Sequence, residues 1–120
     1  MAIEHAFESA PGYLAVRVAG PYSLREFRGV ITAIGEEAQR GGHARALIDA
    51  TELHGEMPDM DRFESGALAA ERLGSLDRVA ILMGASQRVN HFLEDVARNR
   101  GLDVRVLRDR GEALAWITSP

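Results

Sequence analysis

Apolar residues recur along this chain at two different spacings, and each change of spacing marks a new element of secondary structure. Leu14, Val16 and Val18 alternate with other residues, as they do on one face of a β-strand. A turn sequence, Ala-Pro-Gly at 10–12, separates this strand from an extended segment at 3–9. The beginning of the chain therefore predicts a β-hairpin.

The next apolar residues lie three or four positions apart, which is typical of an amphipathic helix. This stripe comprises Leu24, Phe27, Ile31, Ile34 and Ala38. Ser23 is placed to cap the start of the helix, and Glu26, three residues later, completes the sequence signature of a capping box. Gly41 and Gly42 can adopt the left-handed conformation that ends a helix. We predict the first helix between these two signals.

A third strand is predicted from Arg45 to Ala50, because its run Ala46-Leu47-Ile48 is typical of a strand buried on both faces. From Glu52 to Met60 the periodicity disappears, and Gly55 and Pro58 interrupt the segment. We predict the longest loop of the chain here.

Helical spacing returns after this loop. The second stripe comprises Phe63, Ala67, Ala70 and Leu73. Asp61 with Glu64 forms another candidate capping box, and Gly74 is a candidate stop signal. We predict a second helix between them.

The most apolar strand lies within residues 77–84, where the run Val79 to Met83 favours a central position in a parallel sheet. Ser86 is a candidate cap for the helix that follows, and Gly101 is its candidate end. The apolar face of this third helix comprises Val89, Phe92, Leu93, Val96 and Ala97.

A last strand and a last helix close the pattern. The strand contains Val104, Val106 and Leu107. The helix begins at a candidate capping box formed by Asp109 and Glu112. Its apolar positions are Ala113, Leu114 and Ile117, with Trp116 beside them.

The predicted order is β-β-α-β-α-β-α-β-α. Neighbouring strands joined through a single helix run parallel with right-handed crossovers, so helices cover the faces of the sheet. We therefore predict an α/β fold: a five-stranded, mostly parallel sheet with an antiparallel N-terminal edge strand. The 120 residues, 46% of them hydrophobic, fit one domain spanning 1–120.

Composition narrows the possible functions. There is no cysteine, which removes thiol nucleophiles and thiolate metal sites. The net charge of −4 disfavours general nucleic-acid binding, which depends on cationic contacts with phosphates. The longest apolar run is far shorter than the ~20 residues that cross a bilayer, and the first residues do not resemble a secretory signal. We therefore expect a cytoplasmic protein.

The element order, together with particular residues, resembles the SpoIIAA-like family. These small domains are related to the STAS domains of bacterial anti-sigma-factor antagonists and to SEC14-type lipid-binding domains. The resemblance covers nearly the whole chain. The residues that carry it are Phe27, Ala46-Leu47-Ile48-Asp49, Phe63, Arg78-Val79-Ala80-Ile81, Val104-Arg105-Val106-Leu107 and Glu112 to Ile117.

The resemblance implies two kinds of function. In the antagonists, a serine that follows an aspartate at the start of the second helix accepts phosphate and switches partner binding. The nearest segment here is 61–66, in which Glu64 stands where that motif has the aspartate. The resemblance makes Ser65 the candidate phosphosite, with Thr51 as an exposed alternative. The other interpretation of Ser65 is a small residue that permits close helix packing beside Gly66. The relation to SEC14-type domains implies an apolar small molecule.

Ligands of open parallel sheets bind outside the carboxyl ends of the strands. The residues that follow each parallel strand, including the loop after Asp49, lie at that edge of the predicted sheet. Apolar side chains in and after this loop favour binding over catalysis: Leu53, Met57, Met60 and Phe63. With Asp49 and Thr51, we predict that they bind a protein partner or an apolar small molecule, or contact a membrane surface. The alternative is a satellite core.

Catalytic alternatives rest on the same loop. Asp49, His54 and Glu56 would act as acid–base groups of a small hydrolase or transferase, which requires the three side chains to converge. Asp49 also suits a structural role, accepting hydrogen bonds from the residues that follow it. The four histidines fall in separate elements, so no metal site is predicted, and no cofactor is expected.

Overall fold

The computed structural model describes residues 2–85, 87 and 91–120. Five strands and four helices alternate along this part of the chain in the predicted order. They are β1 (Glu4–Ala10), β2 (Tyr13–Pro21), α1 (Leu24–Gly41), β3 (Arg45–His54), α2 (Asp59–Arg72), β4 (Arg78–Leu82), α3 (Phe92–Asn99), β5 (Val104–Leu107) and α4 (Arg110–Thr118).

The strands form one sheet in the order β1-β2-β3-β4-β5, with β1 antiparallel to β2 and the remaining neighbours parallel. The predicted fold class is confirmed. Because each strand adds on the same side of the previous one, right-handed crossovers place α1, α2 and α3 on one face of the sheet. Helix α4 follows the last strand and packs on the opposite face.

Two apolar layers result from this arrangement. Ala46 and Ile48 of β3 point into the larger layer beneath α1, α2 and α3. Leu47, between them, points into the smaller layer, where it packs with Ala113 and Ile117 of α4. The continuous apolar run in β3 is therefore explained by burial on both faces, as predicted.

The helix boundaries confirm most of the local signals. The hydroxyl of Ser23 accepts a hydrogen bond from the backbone N–H of Glu26 at 3.3 Å. The Glu26 carboxylate accepts from the backbone N–H of Ile3 at 3.2 Å, so it ties the start of the chain to α1. Gly42 adopts the left-handed conformation, with φ of 66°, and ends α1. Asp109 caps α4 through the backbone N–H of Glu112.

The long loop predicted from Glu52 to Met60 is wrong. Strand β3 continues to His54, and only 55–58 separate it from α2. The reason is a register shift: Arg17 pairs with Asp49, whereas Ala19 pairs with Glu52, so β3 advances one residue more than β2. Such a bulge breaks the two-residue periodicity by which a strand is recognised.

The predicted cap and apolar stripe of α2 also differ from the structure. The helix begins at Asp59 after Pro58, and Asp61 lies inside its first turn. The buried face consists of Ser65, Gly66, Leu68 and Ala69. Phe63 stays 39% exposed. Three of the four buried residues are small, which allows the neighbouring helices to approach closely.

Close helix contacts explain this choice. A Cβ atom on Gly66 would lie 2.8 Å from the carbonyl oxygen of Leu93 in α3. On the other side of α2, a Cβ on Gly35 of α1 would lie 2.5 Å from the carbonyl oxygen of Arg72. Both distances are shorter than Cβ contacts in proteins. Helix α2 is therefore packed tightly between α1 and α3.

The third helix begins later than the sequence suggests. Helix α3 starts at Phe92, with His91 in the N-cap position. Ser86, predicted as the cap, and Val89, predicted on the apolar face, lie outside the described residues. Gly101, with φ of 95°, follows the end of α3 as predicted.

Candidate ligand-binding cleft

The carboxyl ends of the parallel strands are joined by polar contacts at one edge of the sheet. The side-chain nitrogen of Gln87 donates to the carbonyl oxygens of Ala50 at 2.9 Å and Leu53 at 2.7 Å. Arg108, after β5, donates to the carbonyl oxygens of Ala85 at 3.1 Å and Gln87 at 2.7 Å. These bonds attach the segment after β4 to the ends of β3 and β5.

An open cleft of about 750 Å³ lies at this edge. One side is the loop between β3 and α2, and the other includes residues that follow β2 and β4. Its lining comprises Tyr22, Leu53, His54, Gly55, Glu56, Met57, Pro58, Asp59, Arg62, Met83 and Gln87. Two of the predicted site residues, Leu53 and Met57, therefore line the cleft.

A smaller inner pocket of about 60 Å³ adjoins the cleft. The two cavities share Leu53, Met57, Arg62 and Met83. The other residues lining the inner pocket are Phe27, Ala50, Ile81, His91, Leu93 and Val106. The inner pocket beside the cleft is thus largely apolar.

A void of about 30 Å³ lies deeper in the core and shares Phe27, Ala50, Ile81 and Leu93 with the inner pocket. Ser65 borders this void and is 0% exposed. Its hydroxyl oxygen has no hydrogen-bond partner in the described part of the chain. A kinase has no access to Ser65 in this conformation, and its position beside Gly66 agrees with the packing interpretation.

Tyr22 fixes the position of α2 over the end of β2. Its hydroxyl donates to the carboxylate of Asp61 at 2.9 Å, and its ring packs edge-on against Phe27 with 5.8 Å between centroids. Burial, followed by the hydrogen bond to the Asp61 carboxylate, raises the pKa of Tyr22 far above its ordinary value. The phenol therefore stays protonated and holds one wall of the cleft.

Arg62 lies where the cleft meets the inner pocket. Its side chain is only 14% exposed. The Nε–H donates to the carbonyl oxygen of Met57 at 3.0 Å, which holds the loop against α2. The carboxylate of Asp59 is 4.0 Å from Nε. Arg62 was not predicted as a site residue, because an arginine in the first turn of a helix is ordinarily exposed.

Asp49 and Thr51 lie away from the cleft. Asp49 has the same orientation as Leu47, toward α4, and its carboxylate accepts from Nη2 of Arg110 at 2.6 Å. The other carboxylate oxygen accepts from the backbone N–H of Thr51 at 3.0 Å and from its hydroxyl at 2.6 Å. These bonds stabilise the bulge in β3. They agree with the structural role for Asp49.

The three acid–base residues predicted for a hydrolase therefore do not converge. His54 and Glu56 line the cleft, whereas Asp49 faces the layer beneath α4 on the other side of the sheet. Burial alone would raise the pKa of Asp49, but hydrogen bonds from Arg110 and Thr51 lower it below its usual value of 3.8. A carboxylate held ionised in this way is poorly suited to act as a general acid.

Met60 and Phe63 lie on the outer surface of α2. Met60 is 69% exposed and Phe63 is 39% exposed. The guanidinium carbon of Arg100, just after α3, stands 5.2 Å from the centre of the Phe63 ring. Contact of these residues with a protein partner or a membrane surface stays a prediction, and it concerns a surface separate from the cleft.

The described residues contain neither a candidate metal site nor a candidate membrane-spanning helix. Across 2–85, 87 and 91–120, His, Asp and Glu side chains form no group of three or more that can hold a metal ion. Within the same ranges, no helix has the length and hydropathy required to cross a bilayer.

Comparison with known proteins agrees with the fold. A family model for SpoIIAA-like domains matches residues 13–118. The chain is also similar to the crystal structure of an uncharacterized DUF3478-family protein with a SpoIIAA-like fold from Shewanella loihica PV-4. That match has 25% sequence identity and a TM-score of 0.57, and it covers 97% of this chain and 94% of the other. None of the curated proteins matches the chain significantly.

Proposed function

Because the chain belongs to the SpoIIAA-like family, we propose that it is a non-enzymatic binding module that holds an apolar small molecule at the carboxyl edge of its sheet. The observation that carries this proposal is that the open cleft adjoins an apolar inner pocket and shares four lining residues with it. The edge is also where ligands of open α/β sheets bind.

The dimensions and composition of the cavity support a small ligand. A cleft of about 750 Å³ falls within the range occupied by small-molecule sites. Apolar side chains line most of the adjoining inner pocket. Met57 and Met83 line both the cleft and this pocket. Methionine adapts its shape to irregular apolar surfaces. The ligand we propose is therefore held mainly by apolar contacts.

The alternative functions have weaker support. A hydrolase using Asp49, His54 and Glu56 requires convergence, and Asp49 lies on the other side of the sheet from the two cleft residues. A phosphoserine switch requires access to Ser65, which is completely buried. The binding proposal requires neither the convergence of these residues nor the exposure of Ser65.

A pair of methionine variants tests the proposal with Nile red, a neutral apolar dye, as the probe. We expect the wild-type protein to bind the dye and raise its fluorescence. Met57→Asp places a charge in the wall shared by the cleft and the inner pocket, and we expect it to weaken dye binding at least tenfold. Met60→Asp is the matched control, because Met60 is 69% exposed and lies outside the cleft.

The outcomes are distinct. Binding that survives in Met60→Asp and is lost in Met57→Asp, with both variants folded by circular dichroism, supports the proposal. No binding by the wild-type protein, or equal losses in the two variants, contradicts it. Native mass spectrometry of gently purified protein adds a second readout, because a co-purified apolar molecule increases the mass above that of the chain.

A further inference from the structure

Arg62 is a mostly buried cation at the boundary between the polar cleft and the apolar inner pocket. Its side chain lines both cavities and is 14% exposed. Arginine is rarely buried to this extent unless an anion or several hydrogen bonds compensate for the lost hydration. The contacts of its guanidinium therefore bear on what the cavity binds.

Within the described part of the chain, Arg62 uses little of its hydrogen-bonding capacity. A guanidinium carries five N–H donors, and only Nε–H makes a hydrogen bond with a described residue, to the carbonyl oxygen of Met57. The carboxylate of Asp59 is 4.0 Å from Nε, and the Asp59 side chain is 79% exposed, so water screens this pair strongly. The four donors on the two terminal nitrogens make no hydrogen bond with any described residue, and their planar arrangement suits a planar acceptor.

The charges around the inner pocket favour an anion. Among the described residues that line it, the ionisable side chains are Arg62 and His91, and none is a carboxylate. His91 is paired with the buried carboxylate of Glu94, so Arg62 supplies the positive charge that is open to a ligand. The acidic residues lining the outer cleft, Glu56 and Asp59, are exposed to solvent. An anionic group is therefore most favourable at the inner end of the cleft, beside Arg62.

From this placement we infer that the ligand is an amphipathic carboxylate, with its head group on the terminal nitrogens of Arg62 and its tail against the apolar walls of the cavity. The inference rests on the proposed binding function and specifies its ligand class. A carboxylate matches the planar, two-pronged donor geometry of arginine, and one guanidinium balances its single charge. The apolar tail contacts the apolar side chains that line the inner pocket.

Isothermal titration calorimetry with octanoate and octan-1-ol tests the inference at pH 7.5. The two probes have the same alkyl chain and differ in the head group. We expect the wild-type protein to bind octanoate about ten- to a hundredfold more tightly than octan-1-ol, the range for a charge-assisted hydrogen bond. Arg62→Gln should abolish this preference and leave the affinity for octan-1-ol within about twofold.

Arg28→Gln is the matched control. It removes the same charge from an exposed arginine of α1 that contacts Glu64 of α2 and does not line the cavity. We expect this variant to keep the wild-type preference. Binding of octan-1-ol also shows that each variant retains a folded cavity.

Failure of the inference differs from failure of the proposed function. Equal wild-type affinities for the two probes, or an octanoate preference that persists in Arg62→Gln, overturn the inference and leave the binding function intact. An octanoate preference that is lost equally in Arg28→Gln also overturns it, because the charge would then act from a distance. If the wild-type protein binds neither octanoate nor octan-1-ol, both the proposed function and the inference are rejected.

Discussion

Asp49 shows how a single carboxylate is used to shape the end of a strand. It accepts the backbone N–H and the hydroxyl of Thr51 at the bulge, and it pairs with Arg110 at the start of α4. One side chain therefore stabilises the bulge and attaches the last helix to the sheet. These contacts give Asp49 a structural role, which is one of the roles that its sequence position suggested.

The lowered pKa of Asp49 makes part of the stability dependent on pH. The folded state favours the ionised carboxylate, so this contribution is present above the usual pKa of 3.8 and is lost as the pH falls through the lower folded value. We expect Asp49→Asn to reduce the free energy of unfolding by about 1–3 kcal/mol at pH 7. Below pH 3.8 the wild-type protein should approach the variant.

Urea unfolding followed by circular dichroism between pH 7 and pH 3 measures this difference. Glu52→Gln serves as the comparison, because the ion pair between Arg17 and Glu52 is exposed and should contribute less than about 1 kcal/mol. A constant difference between wild type and Asp49→Asn across the whole range would contradict the assigned role of the Asp49 charge.

At the scale of elements, the orientation of α2 depends on its small residues. Ser65 and Gly66 face the core, and Phe63 lies nearer the surface. This orientation also directs Arg62 toward the cavity. The apolar stripe predicted from Phe63, Ala67, Ala70 and Leu73 is confirmed at Leu73, which is buried, and is wrong at Phe63, which is exposed. Close approach of the helices favours small residues at the start of the buried face.

Gly66→Ala tests the close contact between α2 and α3. The new Cβ would lie 2.8 Å from the carbonyl oxygen of Leu93 and 3.0 Å from Cβ of Val96, so the helices must move apart. We expect a loss of about 1–3 kcal/mol in the free energy of unfolding, measured by chemical denaturation.

Gly29→Ala provides the opposite result for the same chemical change. Gly29 lies on the exposed side of α1, and no atom lies within 4 Å of the position its Cβ would take. Alanine there should stabilise the protein by about 0.5–1 kcal/mol, because it restricts the unfolded chain and favours the helix. Equal effects of the two substitutions would contradict the packing argument for Gly66.

At the scale of the whole molecule, the strand order distributes stability unevenly. Strands β3 and β4 pair on both sides and have residues in both apolar layers. Strand β1 pairs only with β2, and most of its residues are exposed. Strands β3 and β4 are therefore buried on both faces of the sheet as well as paired on both edges.

Hydrogen exchange should reflect this distribution. We expect backbone amides of 46–48 and 79–82 to exchange only through global unfolding, whereas hydrogen-bonded amides of β1 exchange faster through local opening. Exchange of individual amides followed by NMR, with increasing urea, separates the two processes. Amides of β1 that exchange as slowly as those of β3 would contradict this distribution of stability.

The sequence alone determined the order and type of the elements. Their signals are local: the two-residue alternation in β2, the cap at Ser23 and the left-handed Gly42 each act within a few residues. The resemblance to the SpoIIAA-like family agreed with that order. Part of the candidate site could also be predicted from the sequence, because Leu53 and Met57 lie in a segment that must reach the carboxyl edge of the sheet.

Only the tertiary structure decided which of the candidate residues meet. Strand β3 continues past the bulge between Asp49 and Glu52 to His54, and Asp49 points toward α4, away from the cleft. Both features depend on pairing with segments distant in sequence. The burial of Arg62 depends on how closely α2 approaches its neighbours, which local periodicity does not record. Contacts between distant segments have no local signature, and these contacts determine the walls, charge and depth of the cleft.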